Sequence, residues 1–337
     1  MSCVPEPRIL VAGASGYAGA LAAKLVWRHP GLELAAVTSR SDAGTRLDAL
    51  YPHQRVPLVL EELDLDRHGS VDGAIVAYPH GAAAPVVAAL HARGVKVVDL
   101  SADFRLTDLR VYEQWYGEHG APSLIEEAVY ALPELRRDEI RDSALVAGPG
   151  CYPTATLLAL APLARAELIA DVVVDAKSGV SGAGRAATPK THFVTVDENV
   201  TPYGVGRHRH MPEIEQELGA LGAEGVIPAF TPHLLPLDQG ELVSCYVTPP
   251  TRVDQAELDA LFAREYEDEP FVELVDVAPG VRDVRDTNIC RIQAVADERT
   301  GKVFVFAAID NLWKGTSSQA VQSLNLMFGL DETAGIA

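Results

Sequence analysis

The turn Gly13-Ala14-Ser15-Gly16-Tyr17-Ala18-Gly19 constrains this chain more than any other feature. It follows the apolar run Ile9-Leu10-Val11 and opens directly into a helical stretch that continues to about Arg28. A strand, a G-x-x-G-x-x-G turn and a helix in that order start a βαβ unit. The glycines let backbone approach a pyrophosphate, and the helix N-terminus offers it unpaired N–H groups and a positive dipole end. Gly13, Ser15, Gly16, Tyr17 and Gly19 are therefore candidate dinucleotide contacts. The alternation continues: Leu34-Ala35-Ala36-Val37, Ala74-Ile75-Val76-Ala77 and Val95-Lys96-Val97-Val98 read as strands, with an Ala-rich helix from Ala82 to Arg93 between the last two. That order predicts an α/β, doubly wound Rossmann-type parallel sheet.

The end of the second strand selects the dinucleotide. An acidic residue there binds the ribose 2′-OH of NAD, whereas this chain has Thr38-Ser39-Arg40. A hydroxyl and a guanidinium suit a 2′-phosphate, so Ser39 and Arg40 are expected to contact NADP(H).

Beyond about residue 150 the strand-like runs crowd together: Val172–Val174, Gly225–Phe230, Leu242–Val247, Asn288–Val295 and Val303–Ile309. They predict an α+β catalytic and oligomerisation domain over 151–312, with 1–150 as the dinucleotide-binding domain and the C-terminal helix in 313–337 returning to it. At the junction, Leu145-Val146-Ala147-Gly148-Pro149-Gly150-Cys151-Tyr152-Pro153-Thr154 reads as a strand, a sharp turn and the start of an apolar helix. Cys151 then sits at a helix N-terminus, where the dipole favours a thiolate nucleophile. Cys245 and Cys290 lie inside strand-like runs and read as small buried hydrophobes, and Cys3 sits near the start of the chain.

With 28 Lys+Arg against 47 Asp+Glu the formal charge is −19, which opposes nucleic acid and anionic membranes as partners. Against that background Lys190, His192 and the segment Gly206-Arg207-His208-Arg209-His210-Met211-Pro212-Glu213 form a local positive cluster suited to an anionic substrate. A histidine there could move the proton that acyl chemistry on Cys151 requires, with Glu213 orienting it. The cysteines are too far apart for a disulfide framework or a zinc site, so no metal is expected. The first residues lack a signal-peptide pattern and no run reaches transmembrane length, which predicts a cytoplasmic protein.

Several ordered motifs together resemble the N-acetyl-gamma-glutamyl-phosphate reductases, a family related to aspartate-semialdehyde dehydrogenase. They are the Gly13–Gly19 loop, Asp99-Leu100-Ser101-Ala102-Asp103-Phe104-Arg105, Pro149 to Ala155, Ser178 to Arg185, His208-Arg209-His210 with Pro212-Glu213-Ile214, and Asp310-Asn311-Leu312 with Lys314-Gly315. The resemblance implies that Cys151 attacks an acyl phosphate, that phosphate leaves, and that NADPH reduces the thioester to an aldehyde in arginine biosynthesis. It also implies a substrate pocket drawing on Arg105, Arg185 and His208, and His210 or else His208 as acid/base. Cofactor contacts at Ser178, Gly179 and Asn311, and a homo-oligomer, dimer or tetramer, follow from it as well.

Two departures stand out. Where the family is expected to read His-x-x-Pro-Met-x-Arg-Gly, this chain has His233-Leu234-Leu235-Pro236-Leu237-Asp238-Gln239-Gly240, and Thr316-Ser317-Ser318-Gln319 replaces a smaller, Ala-rich run. The Gln239 departure leaves open a carrier-protein-bound aminoadipyl phosphate as substrate, as in lysine biosynthesis. A non-catalytic NADP sensor is the alternative from another class, and it has no use for a thiol at a helix N-terminus.

Overall fold

In the computed structural model, which describes residues 5–337, the apolar runs of the first part become the strands of one parallel sheet. Its strands are β1 (Arg8–Ala12), β2 (Glu33–Thr38), β3 (Gly73–Val76), β4 (Lys96–Asp99), β5 (Val129–Tyr130) and β6 (Leu145–Ala147), in the order β2-β1-β3-β4-β6-β5. Every pairing in it is parallel. A parallel sheet needs helices on both faces, so its strands bury nearly every side chain, and Ile9 to Ala12 and Gly73 to Val76 are buried without alternation. The chain passes from β1 outward to β2 and then back across to β3. The turn after β1 therefore lies at the switch point, where open α/β sheets bind ligands.

The helices Tyr17–Trp27, Ala84–His91 and Ser318–Met327 pack in this unit, which consists of the described residues up to Pro149 together with Thr316–Ala337. The last of these helices is buried along its length, Ser318 to Met327. Polar residues there are accommodated by pairing. Ser317 Oγ donates to Ala18 O (2.9 Å), and Gln322 Nε2 reaches Glu332 (2.8 Å), whose carboxylate also holds Arg137 (2.7 Å).

Gly150–Gly315 form the second unit. Its sheet comprises β7 (Asp171–Gly179), β8 (Thr201–Pro202), β9 (Ala229–Leu235), β10 (Glu241–Thr248), β11 (Val272–Leu274), β12 (Cys290–Asp297) and β13 (Lys302–Ile309), ordered β11-β12-β13-β10-β7-β9-β8. The central run β12-β13-β10-β7 is antiparallel, and β9 joins β7 in parallel. Antiparallel strands show the two-residue period: Val172, Val174 and Ala176 are buried while Val173 is exposed. The buried faces pack on the helix Cys151–Arg165, which is itself buried from Tyr152 to Ala164.

One expected strand moved. The run 225–230 was expected to pair, but Gly225 has φ +79, Ile227 is exposed and Pro228 lacks an N–H, so pairing begins at Ala229. Among the described residues no helix is long and apolar enough to cross a membrane. Cys3 lies outside the described residues.

Candidate functional site

In the first unit the three glycines of the turn have different jobs. Gly13 has φ +89, and a Cβ on it would fall 2.5 Å from the Ala77 carbonyl oxygen. A Cβ on Gly19 would fall 2.3 Å from the Gly13 oxygen, so both glycines are required by the close approach of helix and strand. Gly16 is different: its nearest neighbour would be 3.7 Å away, so the chain's own packing does not demand a glycine there. Gly16 is the N-cap of Tyr17–Trp27 and supplies no side-chain cap, so the surface it opens lies over the helix's N-terminal N–H groups. That fits the approach of a pyrophosphate.

The neighbouring strand end is tied to this turn. Gly13 N and Ala14 N both donate to Thr38 O, at 3.0 and 2.9 Å, and the Ser15 and Ser39 hydroxyls meet at 2.8 Å. Ser39 Oγ also accepts from Asp42 N (3.1 Å), which fixes the loop that carries Arg40. The Arg40 side chain is exposed, with its guanidinium 5.0 Å from the Tyr78 ring centroid. A cation held over an aromatic face beside the second strand's end can meet a 2′-phosphate.

The Asp99–Arg105 motif is a buried polar network. Ser101 Oγ donates to Asp99 (2.6 Å), while Asp103 accepts from Gly81 N (2.7 Å), Ala84 N (2.9 Å) and Tyr112 Oη (2.9 Å). Burial pushes Asp99 up to about 7. Arg105, expected to grip substrate, is only 5% exposed and donates to Gly148 O (2.7 Å) and Leu100 O (3.0 Å). Part of its guanidinium therefore holds the end of β6, the strand that leads to Cys151.

In the second unit, Cys151 is the first residue of the helix Cys151–Arg165 and Gly150 its N-cap. Glu213, expected to orient a histidine, accepts at Oε1 from Gly150 N, at 2.9 Å. The carboxylate thus fixes the turn on which the thiol sits. Glu213 and His210 come together because His210 is the N-cap of the helix Met211–Ala220. The His210 ring lies against Gly150 so closely that a Cβ there would fall 2.5 Å from Nε2. From the other side, a Cβ on Gly315 would fall 2.8 Å from that of Cys151. Two glycines therefore give room for an imidazole and a backbone turn around one cysteine.

His208 is set differently. Its Nδ1 accepts from His210 N (3.2 Å), and its ring is framed by Tyr152 (5.6 Å), Tyr203 (5.4 Å) and Phe230 (5.4 Å). Burial, and then the charge of Arg209, lower its pKa to about 4, so at neutral pH it carries no charge. The His208 ring, expected in the substrate pocket, is thus uncharged at neutral pH and bonded to the backbone of His210. Arg185 is exposed, just beyond Gly184 (φ +84).

Asn311 and Ser178-Gly179 are drawn into the same loop packing. Asn311 Nδ2 donates to Ser181 Oγ (3.0 Å) and its Oδ1 accepts from Gly240 N (2.7 Å). Ser178 Oγ donates to Gly179 O (3.2 Å), and a Cβ on Gly179 would fall 2.6 Å from Asp238 O. The Gln239 departure has a structural account. Its amide donates to both Asp310 oxygens, at 3.4 and 3.2 Å, and Asp310 also accepts from Asp286 N, Leu312 N and Trp313 N. With backbone donors already on that carboxylate, a neutral amide suffices beside it.

Sequence reasoning did not single out Glu241, which is fully buried at the start of β10 with neither carboxyl oxygen hydrogen-bonded among the described residues. The signal was present: Glu241 shares strand parity with the buried Val243, Cys245 and Val247 and so faces inward with them.

With this geometry in view, the comparisons are specific. The semialdehyde dehydrogenase NAD-binding domain family matches residues 8–143, and the semialdehyde dehydrogenase dimerisation domain family matches residues 151–311. The N-acetyl-gamma-glutamyl-phosphate reductase of Desulforudis audaxviator is 48% identical over 98% of this chain and 97% of its own length. That of Pelotomaculum thermopropionicum is 46% identical with the same coverage. Aspartate semialdehyde dehydrogenase II of Vibrio cholerae superposes with a TM-score of 0.74 at 17% identity, covering 97% of this chain and 99% of that one. The Candida albicans aspartate semialdehyde dehydrogenase, solved with NADP, gives 0.70 at 14% identity over 96% and 98%. The two structural likenesses establish the fold.

Proposed function

Because this chain belongs to the N-acetyl-gamma-glutamyl-phosphate reductase family, we propose that it reduces N-acetyl-gamma-glutamyl phosphate to N-acetylglutamate 5-semialdehyde and phosphate with NADPH, in arginine biosynthesis. The observation that carries this reading is the thiol of Cys151 at the head of a buried helix, with His210 against its N-cap residue and Glu213 holding that residue's N–H.

The positive end of the helix dipole favours negative charge on Sγ, which makes sulfur the nucleophile. Sγ bonds to the acyl carbon and the carbon–oxygen bond to phosphate breaks, giving a thioester. The side chain with the geometry to hold a proton near the carbonyl oxygen is His210, and its neighbour His208 keeps it in place as a neutral ring. Arg185 and Arg105 are proposed to meet the substrate's anionic groups. Gly16, Ser15, Tyr17, Ser39 and Arg40 would hold NADPH, with Ser178, Gly179 and Asn311 nearer its reactive end. When bound, the cofactor supplies the hydride. The need to keep the thiol reduced supports a cytoplasmic setting. The match to a dimerisation domain supports a homo-oligomer, dimer or tetramer.

Given N-acetyl-gamma-glutamyl phosphate and NADPH, the enzyme should release one phosphate for each NADPH oxidised. Oxidation only with aminoadipyl phosphate on a carrier protein would overturn the substrate assignment. Arg40→Ala should raise KM for NADPH by roughly 10- to 100-fold, the worth of charge-assisted bonds to a phosphate, and leave KM for NADH nearly unchanged. Equal effects on both would rule out the 2′-phosphate contact.

A further inference from the structure

Residues 184–200 leave the second unit and rejoin it at the Cys151 site. Upstream, Ser181 Oγ donates to Asp238 O (2.6 Å) and accepts from Asn311 Nδ2 (3.0 Å). Downstream, Tyr203 N donates to Pro232 O (3.0 Å), and Tyr203 Oη donates to the hydroxyl of Tyr152, the residue after the thiol (3.2 Å). Between these anchors the hydrogen bonds are short-range: Thr188 with Thr191, Thr195 and Val196 with His192, Asp197 with Phe193, and Asn199 with Val196. Val196 is the one buried side chain of the short helix Phe193–Val196. A stretch with few buried contacts and local bonds opens at low free-energy cost, so it can move while the sheet it joins stays in place.

Both ends of the stretch carry positive φ. Gly184 has φ +84 with no atom within 4 Å of where a Cβ would lie, so the backbone dihedral and not packing calls for glycine. At the other end Glu198, which has a Cβ, sits at φ +54, a conformation few such residues adopt. The surface between them suits an anion. From Gly184 to Val196 there are Arg185, Lys190 and His192 and no acid, in a chain of formal charge −19. Among the described residues neither the Lys190 ammonium nor the His192 ring is paired, and both residues are exposed. Phe193 and Val194, side by side at the start of the helix, are 73% and 77% exposed. Two adjacent large apolar side chains held in water gain free energy from a surface that covers them.

We propose that residues 184–200 form a lid that closes over Cys151 when the acyl phosphate binds, with Lys190 on the phosphate and Phe193 and Val194 shutting out water. The inference rests on the reaction proposed above, in which a thioester must wait for hydride. Water competes at that stage. When its oxygen bonds to the acyl carbon, the C–S bond breaks, sulfur takes the electron pair and one proton of the water, and the free acid leaves in place of the aldehyde. Phosphate has then been released with no NADPH oxidised. A closed lid prevents this loss and, through Lys190, adds a charge-assisted bond to a leaving group that departs with negative charge.

Amide hydrogen exchange read by mass spectrometry tests closure without turnover. Inorganic phosphate, against chloride at matched ionic strength, should slow exchange in peptides spanning 186–200 by about 10-fold or more, and Lys190→Ala should abolish that protection. Unchanged exchange in the wild type, or full protection in Lys190→Ala, would overturn the proposal. The second arm is the ratio of phosphate released to NADPH oxidised. It should be one in the wild type and rise to about two or more in Phe193→Ser, a change at an exposed side chain that leaves the core intact. In Lys190→Ala, KM for the acyl phosphate should rise about 10-fold, as for one charge-assisted bond, with KM for NADPH unchanged. A ratio of one in Phe193→Ser sinks the lid, and an oligomer broken by the same variant in light scattering would then make the patch a subunit contact. A wild type that does not use the acyl phosphate would strike the reaction and leave the exchange arm to decide the lid, so the two readings fail separately.

Discussion

Cys151→Ala is expected to lower kcat by about 10⁴-fold or more while NADPH binds within a few-fold of the wild type. The reason is a separation of tasks. The residues assigned to the cofactor's pyrophosphate and 2′-phosphate belong to the first unit, around Gly16 and Arg40, whereas the thiol begins a helix of the second. Alanine is an excellent first-turn residue, so the helix Cys151–Arg165 loses nothing of its own stability. Steady-state kinetics and fluorescence titration of NADPH check the two halves of this expectation. Loss of both activity and cofactor binding would mean that the cysteine has a structural role.

The second large effect is expected at Gly150. Its φ of −67 is open to any residue, so Gly150→Ala carries no backbone strain. The added Cβ would nevertheless fall 2.5 Å from His210 Nε2 and 2.6 Å from Cε1. The ring must swing away, and displacement of a reacting group by about 1 Å costs on the order of 10²-fold in rate. We therefore expect kcat to fall about 10²-fold, KM to change little, and overpacking to cost roughly 1–3 kcal/mol of stability. Kinetics alongside a thermal melt separates the two effects. Full activity in a variant with a normal melt would remove His210 from the chemistry.

The first unit was largely legible in the sequence because its signals are local. The apolar runs that form β1 to β4, the Gly13–Gly19 turn and the start of Tyr17–Trp27 all lie within a few residues of the features that announce them. Cys151 at a helix N-terminus was legible for the same reason, since Gly148-Pro149-Gly150 stops one element and the apolar run after it starts the next.

What escaped notice depends on partners distant in sequence. His208 and His210 look equivalent in the segment that carries them. Tyr152, Tyr203 and Phe230 close around His208, whose pKa burial and the Arg209 charge lower, while the His210 ring lies against Gly150. Arg105 reads as a cation for an anion, but that its Nε also donates to Gly148 O depends on a residue 43 positions away. Glu213 was legible as an acid beside the site, but its bond to Gly150 N joins residues 63 positions apart. The displaced start of β9 has a local cause, the positive φ of Gly225 followed by Pro228, that hydrophobicity alone does not register.

The most direct test of the account is the reverse reaction, followed at the nicotinamide absorbance band, with N-acetylglutamate 5-semialdehyde, phosphate and NADP supplied in parallel to the wild type and Cys151→Ala. The account predicts NADP reduction by the wild type that stops when phosphate is withheld, and none by the variant. Reduction that proceeds without phosphate, or equally well without the thiol, would contradict it.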